Sequence, residues 1–266
     1  MDFNYLILGL VQGLTEFLPV SSSGHLFLFE KQLLTGVNEN ALLLMNICFH
    51  MGTLIAVILF FRKFLWEYIV ETFNFLKSPS KSLNPIQQEV LYVIVLSVPT
   101  AIIGLGLKKS GIEHISSLAI LGALCFTGIL CIVVDRVKDG DQGLTFKKAI
   151  LLGIVQGVAV IPGISRSGST ILGGLVLGLS REKMASFSFL MSIPAIGGAF
   201  LLEMKDVFDV GLGGVDVLSL IMGTLMAFIS GYISLILLIG LLKKKNFTIF
   251  GVYCLSVVVI MYLRGV

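Results

Sequence analysis

Long apolar runs separated by short polar loops are the dominant pattern of the chain. A helix needs about 20 apolar residues to cross a bilayer, and six runs come close to that length: about 41–61, 86–107, 117–134, 184–203, 215–241 and 247–263. No linker, low-complexity stretch or separate soluble segment lies between them. The pattern predicts an all-α polytopic membrane protein with six transmembrane helices in a single membrane domain over residues 1–266.

Basic residues in the loops predict how the helices are oriented, because cytoplasmic loops carry an excess of lysine and arginine. Three loops hold most of these residues and are predicted to be cytoplasmic: 62–85, 135–148 and 242–246. The loops at 108–116 and 204–214 hold fewer and are predicted to face outside. This alternation requires residues 149–180 to return to the side from which they enter, so we expect a re-entrant hairpin there. By the same reasoning, residues 1–35 form a hairpin that enters from outside.

A duplicated segment relates the two predicted hairpins. Residues 9–26 align without a gap with residues 153–170 at an offset of 144, and seven of the eighteen positions are identical: Gly9/Gly153, Val11/Val155, Gln12/Gln156, Gly13/Gly157, Ser21/Ser165, Ser23/Ser167 and Gly24/Gly168. Each hairpin is followed by three spans. Because a hairpin returns to its own side and three crossings end on the opposite side, the second half begins on the other side of the membrane from the first. The two halves, about 1–134 and about 147–266, are therefore predicted to insert with opposite polarity, as an inverted-topology repeat.

The composition supports a membrane protein and says less about partners. The chain is 56% hydrophobic and 13% charged, with a mean hydropathy of +0.99, which exceeds what a soluble core of this length needs. The four cysteines lie within apolar runs and lack metal-binding spacing. The net charge is only +3, and we expect no nucleic acid among the partners.

Both copies of the repeat contain a helix break followed by small hydroxyl residues. A proline interrupts each copy, and the residues after it can cap a new helix: Ser21, Ser22 and Ser23 in the first copy, and Ser165, Ser167, Ser169 and Thr170 in the second. A new helix presents free backbone N–H groups and the positive end of its dipole, which attract anions. Arg166 lies at this point of the second copy, and its guanidinium suits phosphate oxygens. The alternative is that these residues only cap and pack the hairpins.

The charged residues differ between the copies, as expected of one site assembled from both halves. Glu16 and His25 occur only in the first copy, and Glu16 shares a helical face with Gln12, four residues earlier. The intramembrane carboxylate is expected to hold a divalent cation or to take a proton from a nucleophile, unless it only forms a structural ion pair with Arg166. His25 follows the serine run and is expected to act as acid, base or phosphate contact. His50 is expected to pack within an apolar span or to support the site residues without contacting the substrate.

Together these groups suit phosphoryl chemistry on a substrate with a lipid tail and an anionic head. The pair Gln12-x-x-x-Glu16 and the segments 17–25 and 162–170 closely resemble the signature motifs of the undecaprenyl pyrophosphate phosphatase family linked to bacitracin resistance. The resemblance extends over the whole chain in length, number of spans and motif placement.

This resemblance implies an activity and a location. The expected reaction is hydrolysis of undecaprenyl pyrophosphate to undecaprenyl phosphate and inorganic phosphate, at the outer face of the bacterial plasma membrane. The reaction recycles the lipid carrier of peptidoglycan synthesis, gives bacitracin resistance and requires a divalent cation, Mg²⁺ or Ca²⁺. The resemblance leaves open whether the protein is a homo-oligomer.

Roles for single residues also follow from the resemblance. It implies Glu16 as the key acid, Ser22 as the favoured nucleophile, His25 as acid, base or phosphate contact, and Arg166 as the pyrophosphate clamp. The supporting donors would be Ser21, Ser23, Ser165, Ser167 and Thr170. The family pattern allows glutamate or glutamine at position 12, so a metal site made of Glu16 and Gln12 would contain one carboxylate in this chain. The sequence does not decide whether Ser22 or water attacks.

Two alternatives compete with this interpretation. Inverted repeats with broken helices are typical of secondary transporters, so a transporter or flippase of polyprenyl phosphate lipids is the competing function. A second lipid phosphatase family also uses Ser-Gly-His and Ser-Arg elements. It expects a histidine six residues after the arginine, where this chain has Leu172, and is therefore rejected.

Overall fold

The computed structural model describes residues 2–34, 36–78, 82–112, 115–210, 216–243 and 246–265, and these contain helices without any β-strand. The helices are α1 Phe3–Phe17, α2 Ser22–Leu33, α3 Glu39–Phe60, α4 Arg62–Lys77, α5 Pro85–Lys109, α6 Ser117–Val134, α7 Phe146–Val158, α8 Arg166–Val176, α9 Arg181–Val210, α10 Val217–Lys243 and α11 Thr248–Leu263. The predicted all-α fold is confirmed.

Five of the six predicted spans lie in helices that are long and apolar enough to cross a membrane. These stretches are Asn40–Phe60, Pro85–Lys109, Ser117–Val134, Arg181–Lys205 and Val217–Leu241. The sixth run forms the shorter apolar helix α11, which has 16 residues. Many large apolar side chains on these helices are exposed, among them Ile102, Leu201 and Ile221, as expected of surfaces that face lipid. The chain is therefore a multi-pass membrane protein.

Two pairs of short helices occupy the positions of the predicted hairpins. The pair α1–α2 breaks at residues 18–21 and the pair α7–α8 breaks at residues 159–165; each break contains the proline and ends at the first serine of its run. The four helices contain 15, 12, 13 and 11 residues, so each is shorter than the ~20 residues that cross a bilayer. The side from which each hairpin enters, and the opposite polarity of the two halves, stay predictions.

Helix α4 differs from the expectation of a loop at 62–85. Its segment carries five charged residues, which end the apolar run, but it contains neither proline nor glycine to stop a helix. The helix is held because Phe64, Leu65 and Tyr68 pack in an apolar cluster with residues of α5, α7 and α9. The buried Tyr68 hydroxyl also donates a hydrogen bond to Glu89 of α5. The charged residues correctly predicted that the segment after the first span is polar, but they did not predict that it is helical.

The first helices of the two hairpins pack in equivalent ways, each against a helix of the other half. Helix α1 packs against α10, and α7 packs against α5. A Cβ atom on Gly9 would lie 2.1 Å from the backbone oxygen of Gly223, and a Cβ atom on Gly153 would lie 2.2 Å from that of Leu96. The glycines that are identical in the repeat therefore allow close contact of helix backbones.

We expect Gly9→Ala to lower the thermal midpoint of the detergent-purified protein. The added methyl group would meet backbone atoms, which cannot rotate away, so the strain should cost about 1–3 kcal/mol. Gly122→Ala in α6 is the matched control, because a Cβ atom there meets nothing within 4 Å. Equal midpoints for the two variants would show that the close contact of α1 and α10 does not limit stability.

Candidate active site

A pocket of about 270 Å³ lies between the two hairpin tips, α3 and α9. Its apolar wall includes Ile47, Ile164, Ala195, Ile196 and Phe200. Both copies of the repeat contribute to its polar lining: Thr15, Glu16, Ser21, Ser22, Ser23, His50, Thr100, Gln156, Ser165, Arg166 and Glu203. The pocket is thus polar where the tips meet and mostly apolar along α9, where Glu203 is the polar lining residue.

Glu16 is the centre of the polar network. Its carboxylate is buried, and its Oε2 atom accepts hydrogen bonds from Ser22 Oγ at 2.6 Å and from Gln12 Nε2 at 3.0 Å. Its Oε1 atom accepts from Arg166 Nη2, which compensates the buried negative charge. The structure therefore brings together Glu16 and Ser22 of the first copy and Arg166 of the second.

The two tips place Ser22 and Arg166 at corresponding positions. Each is the first residue of its helix, α2 or α8, and the two are related by the repeat offset. The preceding residues cap these helices, since Ser21 Oγ accepts from the Gly24 N–H at 3.4 Å and Ser165 Oγ accepts from its equivalent at 3.1 Å. Ser21 has a φ of +69°, a left-handed conformation that side chains rarely adopt. The first residues of both helices consequently line the pocket together with the serines that cap them.

His25 does not line the pocket. It is 1% exposed, its Nδ1 atom lies 2.8 Å from the Ser21 carbonyl oxygen, and its ring stacks on Tyr253 with centroids 5.5 Å apart. Ser167 and Thr170 also lie outside the pocket lining. Thr170 donates to the Arg166 carbonyl oxygen at 2.9 Å, so it supports the start of α8. The predicted roles of these three residues as direct contacts stay predictions.

His50 lies in the pocket, where we had not expected it. Its Nδ1 atom is 2.8 Å from the Asn46 carbonyl oxygen, which can only accept, so Nδ1 carries the hydrogen. The other ring nitrogen, Nε2, is 3.8 Å from Glu16 Oε2. Thr100 and Gln156 also line the pocket without having been predicted as site residues. The one signal in the sequence for Gln156 was that the aligned position of the first copy, Gln12, is also glutamine.

The residues around Glu16 do not fit a protein-bound divalent cation. The described part of the chain contains no group of three or more His, Cys, Asp or Glu side chains that could hold a metal ion. Arg166 contacts one carboxylate oxygen of Glu16, and two donors occupy the other. Gln12 directs its Nε2 atom to the carboxylate and does not line the pocket. The predicted Glu16–Gln12 metal site is therefore not proposed, and the cation requirement stays a prediction.

Comparisons with known proteins match almost the entire chain. The model of the family described as bacitracin resistance protein BacA matches residues 5–260. The chain is 42% identical over 258 residues to undecaprenyl-diphosphatase of Carboxydothermus hydrogenoformans, covering 95% of this chain and 93% of the relative. It is 38% identical over 269 residues to undecaprenyl-diphosphatase of Halothermothrix orenii, covering 99% and 98%. The similarity thus includes both hairpins and every span.

Proposed function

The chain belongs to the family of bacitracin resistance protein BacA, and on this premise we propose that it is an undecaprenyl-diphosphatase that works through the pocket between its hairpins. It hydrolyses undecaprenyl diphosphate to undecaprenyl phosphate and inorganic phosphate. The observation that carries this proposal is the Glu16 carboxylate, which accepts hydrogen bonds from both the Ser22 hydroxyl and the Arg166 guanidinium. The relatives are named as phosphatases, and nothing in the comparisons favours a transporter or flippase.

In the first step, Ser22 Oγ attacks the terminal phosphorus of the diphosphate. Glu16 Oε2, at 2.6 Å, takes the hydroxyl proton while the O–P bond forms. The bond between that phosphorus and the bridging oxygen breaks, and undecaprenyl phosphate leaves. A phosphoserine at Ser22 and a protonated Glu16 remain.

Positive groups around Ser22 stabilise the charge of the phosphoryl group. Arg166 has five N–H donors and uses one of them on Glu16, so we assign the others to phosphate oxygens. The N-termini of α2 and α8 add free N–H groups beside them. As an imidazolium, which carries a hydrogen on both ring nitrogens, His50 would also donate from Nε2 to a phosphate oxygen. His25 is assigned a positioning role, because it holds the carbonyl of the strained Ser21.

We also propose that the pocket opens to the outer face of the bacterial plasma membrane. Helix α9 begins with Arg181 and Lys183, which the charge pattern places on the cytoplasmic side. Its pocket-lining residues, from Ala195 to Glu203, belong to the later part of the helix, away from that basic start. The apolar residues among them suit the first isoprene units of the lipid.

Phosphate release from a polyprenyl diphosphate by the detergent-purified protein tests the activity. We expect release from the diphosphate and none from the corresponding monophosphate, which has no anhydride bond. The cation requirement implied by the resemblance predicts that excess chelator stops the reaction and that Mg²⁺ or Ca²⁺ restores it. Release that chelator leaves unchanged would contradict this requirement and leave the proposed activity standing. No release by folded protein under either ion would contradict the proposed activity.

A further inference from the structure

Gln156 has an amide oxygen that nothing in the described structure explains. The residue is 1% exposed, lines the pocket and occupies the position of Gln12 in the repeat. Its Nε2 atom is 3.4 Å from Thr100 Oγ1 and 3.4 Å from the Met191 carbonyl oxygen. Its Oε1 atom is buried and has no hydrogen-bond partner among the described residues.

The neighbours of Gln156 fix the orientation of its amide. The Met191 carbonyl can only accept a hydrogen bond. Thr100 Oγ1 lies 2.9 Å from the carbonyl oxygens of Leu96 and of Gly153, so its hydrogen is directed to one of them and its oxygen accepts from Gln156. Both neighbours are therefore acceptors. If the amide were flipped, its oxygen would lie next to two acceptors and could form no hydrogen bond with either, so the nitrogen must be on this side. The unpaired Oε1 atom belongs to a pocket-lining residue of α7 that packs beside Thr100 of α5.

A water that hydrolyses the phosphoserine needs a hydrogen-bond acceptor on the side of phosphorus away from Ser22 Oγ. In an in-line displacement, water attacks phosphorus from the side opposite the leaving Ser22 Oγ. Glu16 is hydrogen-bonded to Ser22 Oγ, and His50 is beside Glu16, so both groups lie on the side of the leaving oxygen. Gln156 is contributed by the other copy of the repeat, on α7, and packs with Thr100 of α5.

We propose that Gln156 Oε1 accepts a hydrogen bond from the water that hydrolyses the phosphoserine, and so positions this water for attack. This inference rests on the covalent step of the proposed function. Thr100 holds the amide in place, so Gln156 is a positioning residue and exchanges no proton. Its counterpart Gln12 donates to Glu16 and does not line the pocket. One repeated glutamine therefore serves the first half of the reaction and the other serves the second half.

The second step balances without a further reactant. The water oxygen forms a bond to phosphorus, and the bond between phosphorus and Ser22 Oγ breaks. Protonated Glu16 returns its proton to Ser22 Oγ. The water keeps one hydrogen in the new P–OH group, and its second proton goes to a phosphate oxygen. Dihydrogen phosphate leaves, and both Glu16 and Ser22 regain their starting states.

Acid-quench experiments on the purified protein distinguish the two steps. Polyprenyl diphosphate is mixed with wild type, Gln156→Leu or Glu203→Gln, and phosphoserine at Ser22 is quantified by mass spectrometry at increasing times. We expect Gln156→Leu to release phosphate about 10- to 100-fold more slowly, since a mispositioned water costs about that much. Phosphoserine should accumulate in this variant, with a burst of one lipid monophosphate per protein. A purely structural defect would slow both steps and give no such accumulation.

The outcomes separate this inference from the proposal on which it rests. Accumulation in Gln156→Leu, and not in Glu203→Gln, supports the assignment. Phosphoserine that rises only in Glu203→Gln would assign the water to Glu203 and overturn it. Undiminished phosphate release by Ser22→Ala would show direct attack by water, which contradicts the covalent step and the role of Gln156 together. A wild type with no release at all would contradict the activity itself.

Discussion

Replacing Glu16 with glutamine is expected to lower the kcat for phosphate release about 10³-fold, the usual loss when a general base is removed. The amide nearly matches the carboxylate in shape but cannot take the proton of the Ser22 hydroxyl, which now lies 2.6 Å from Oε2. The same change leaves Arg166 without its anionic partner in the unliganded pocket. The measurement is phosphate release by protein whose folding has been verified by its thermal midpoint and its elution from a sizing column.

Glu30→Gln is the matched control for this experiment. Glu30 is also a glutamate of the first hairpin, on α2, and it is partly buried but does not line the pocket. We expect this variant to retain phosphate release. A loss of activity in Glu30→Gln equal to that in Glu16→Gln would show that buried charge in the hairpin, and not the base at Glu16, is what the reaction requires.

The second large effect is expected for Arg166→Ala, which should reduce kcat/KM by about 10³-fold or more, as for other arginines that stabilise a transferring phosphoryl group. Two losses combine in this variant. The phosphoryl group loses its guanidinium, and the buried Glu16 carboxylate loses the charge that compensates it. Arg166→Lys should recover part of the activity, because lysine restores the charge without the planar fork of donors.

Arg136→Ala controls for the loss of an arginine, since this side chain is exposed and lies outside the pocket. Its kcat/KM should match that of the wild type. Equal activities of Arg166→Lys and wild type would show that charge alone suffices and that no fork of donors is used. Full activity of Arg166→Ala would remove Arg166 from the mechanism.

The sequence predicted the parts of the site that the repeat carries. The break after Pro19, the serine run and Arg166 are local features of the chain, and a helix start follows directly from each. Bringing Glu16 and Arg166 together required only that the two hairpin tips meet. Both predictions concerned residues at helix breaks and helix starts, and the neighbouring residues in the sequence determine where these occur.

The contributions of largely apolar helices were harder to predict. Helix α3 is mostly apolar, but Asn46, His50 and Thr53 share one face, and this polar stripe was the sequence signal that His50 points into the protein. His25 belongs to the start of α2, but the turn of that helix directs it towards Tyr253 and away from the substrate pocket. Which face of a membrane helix meets protein depends on packing, because lipid and core are equally apolar.

Ser22 and Arg166 show how far two copies of one motif have diverged. Each is the first residue of its helix, and each is preceded by a serine that caps that helix. One position of the repeat therefore supplies the nucleophile in one half and the charged clamp in the other. Neither half contains both groups, so neither half alone holds the complete site.

The separation of Glu16 and Arg166 by 150 positions also matters while the chain is being made. At a synthesis rate of about 5–20 residues per second, the carboxylate leaves the ribosome about 8–30 s before its guanidinium partner. During this interval the newborn first half carries an acidic group in the bilayer without its guanidinium partner. The first half is therefore less stable in the membrane until Arg166 has been synthesised. A prematurely terminated chain would keep this unneutralised carboxylate and would be a target for the quality-control machinery of the cell.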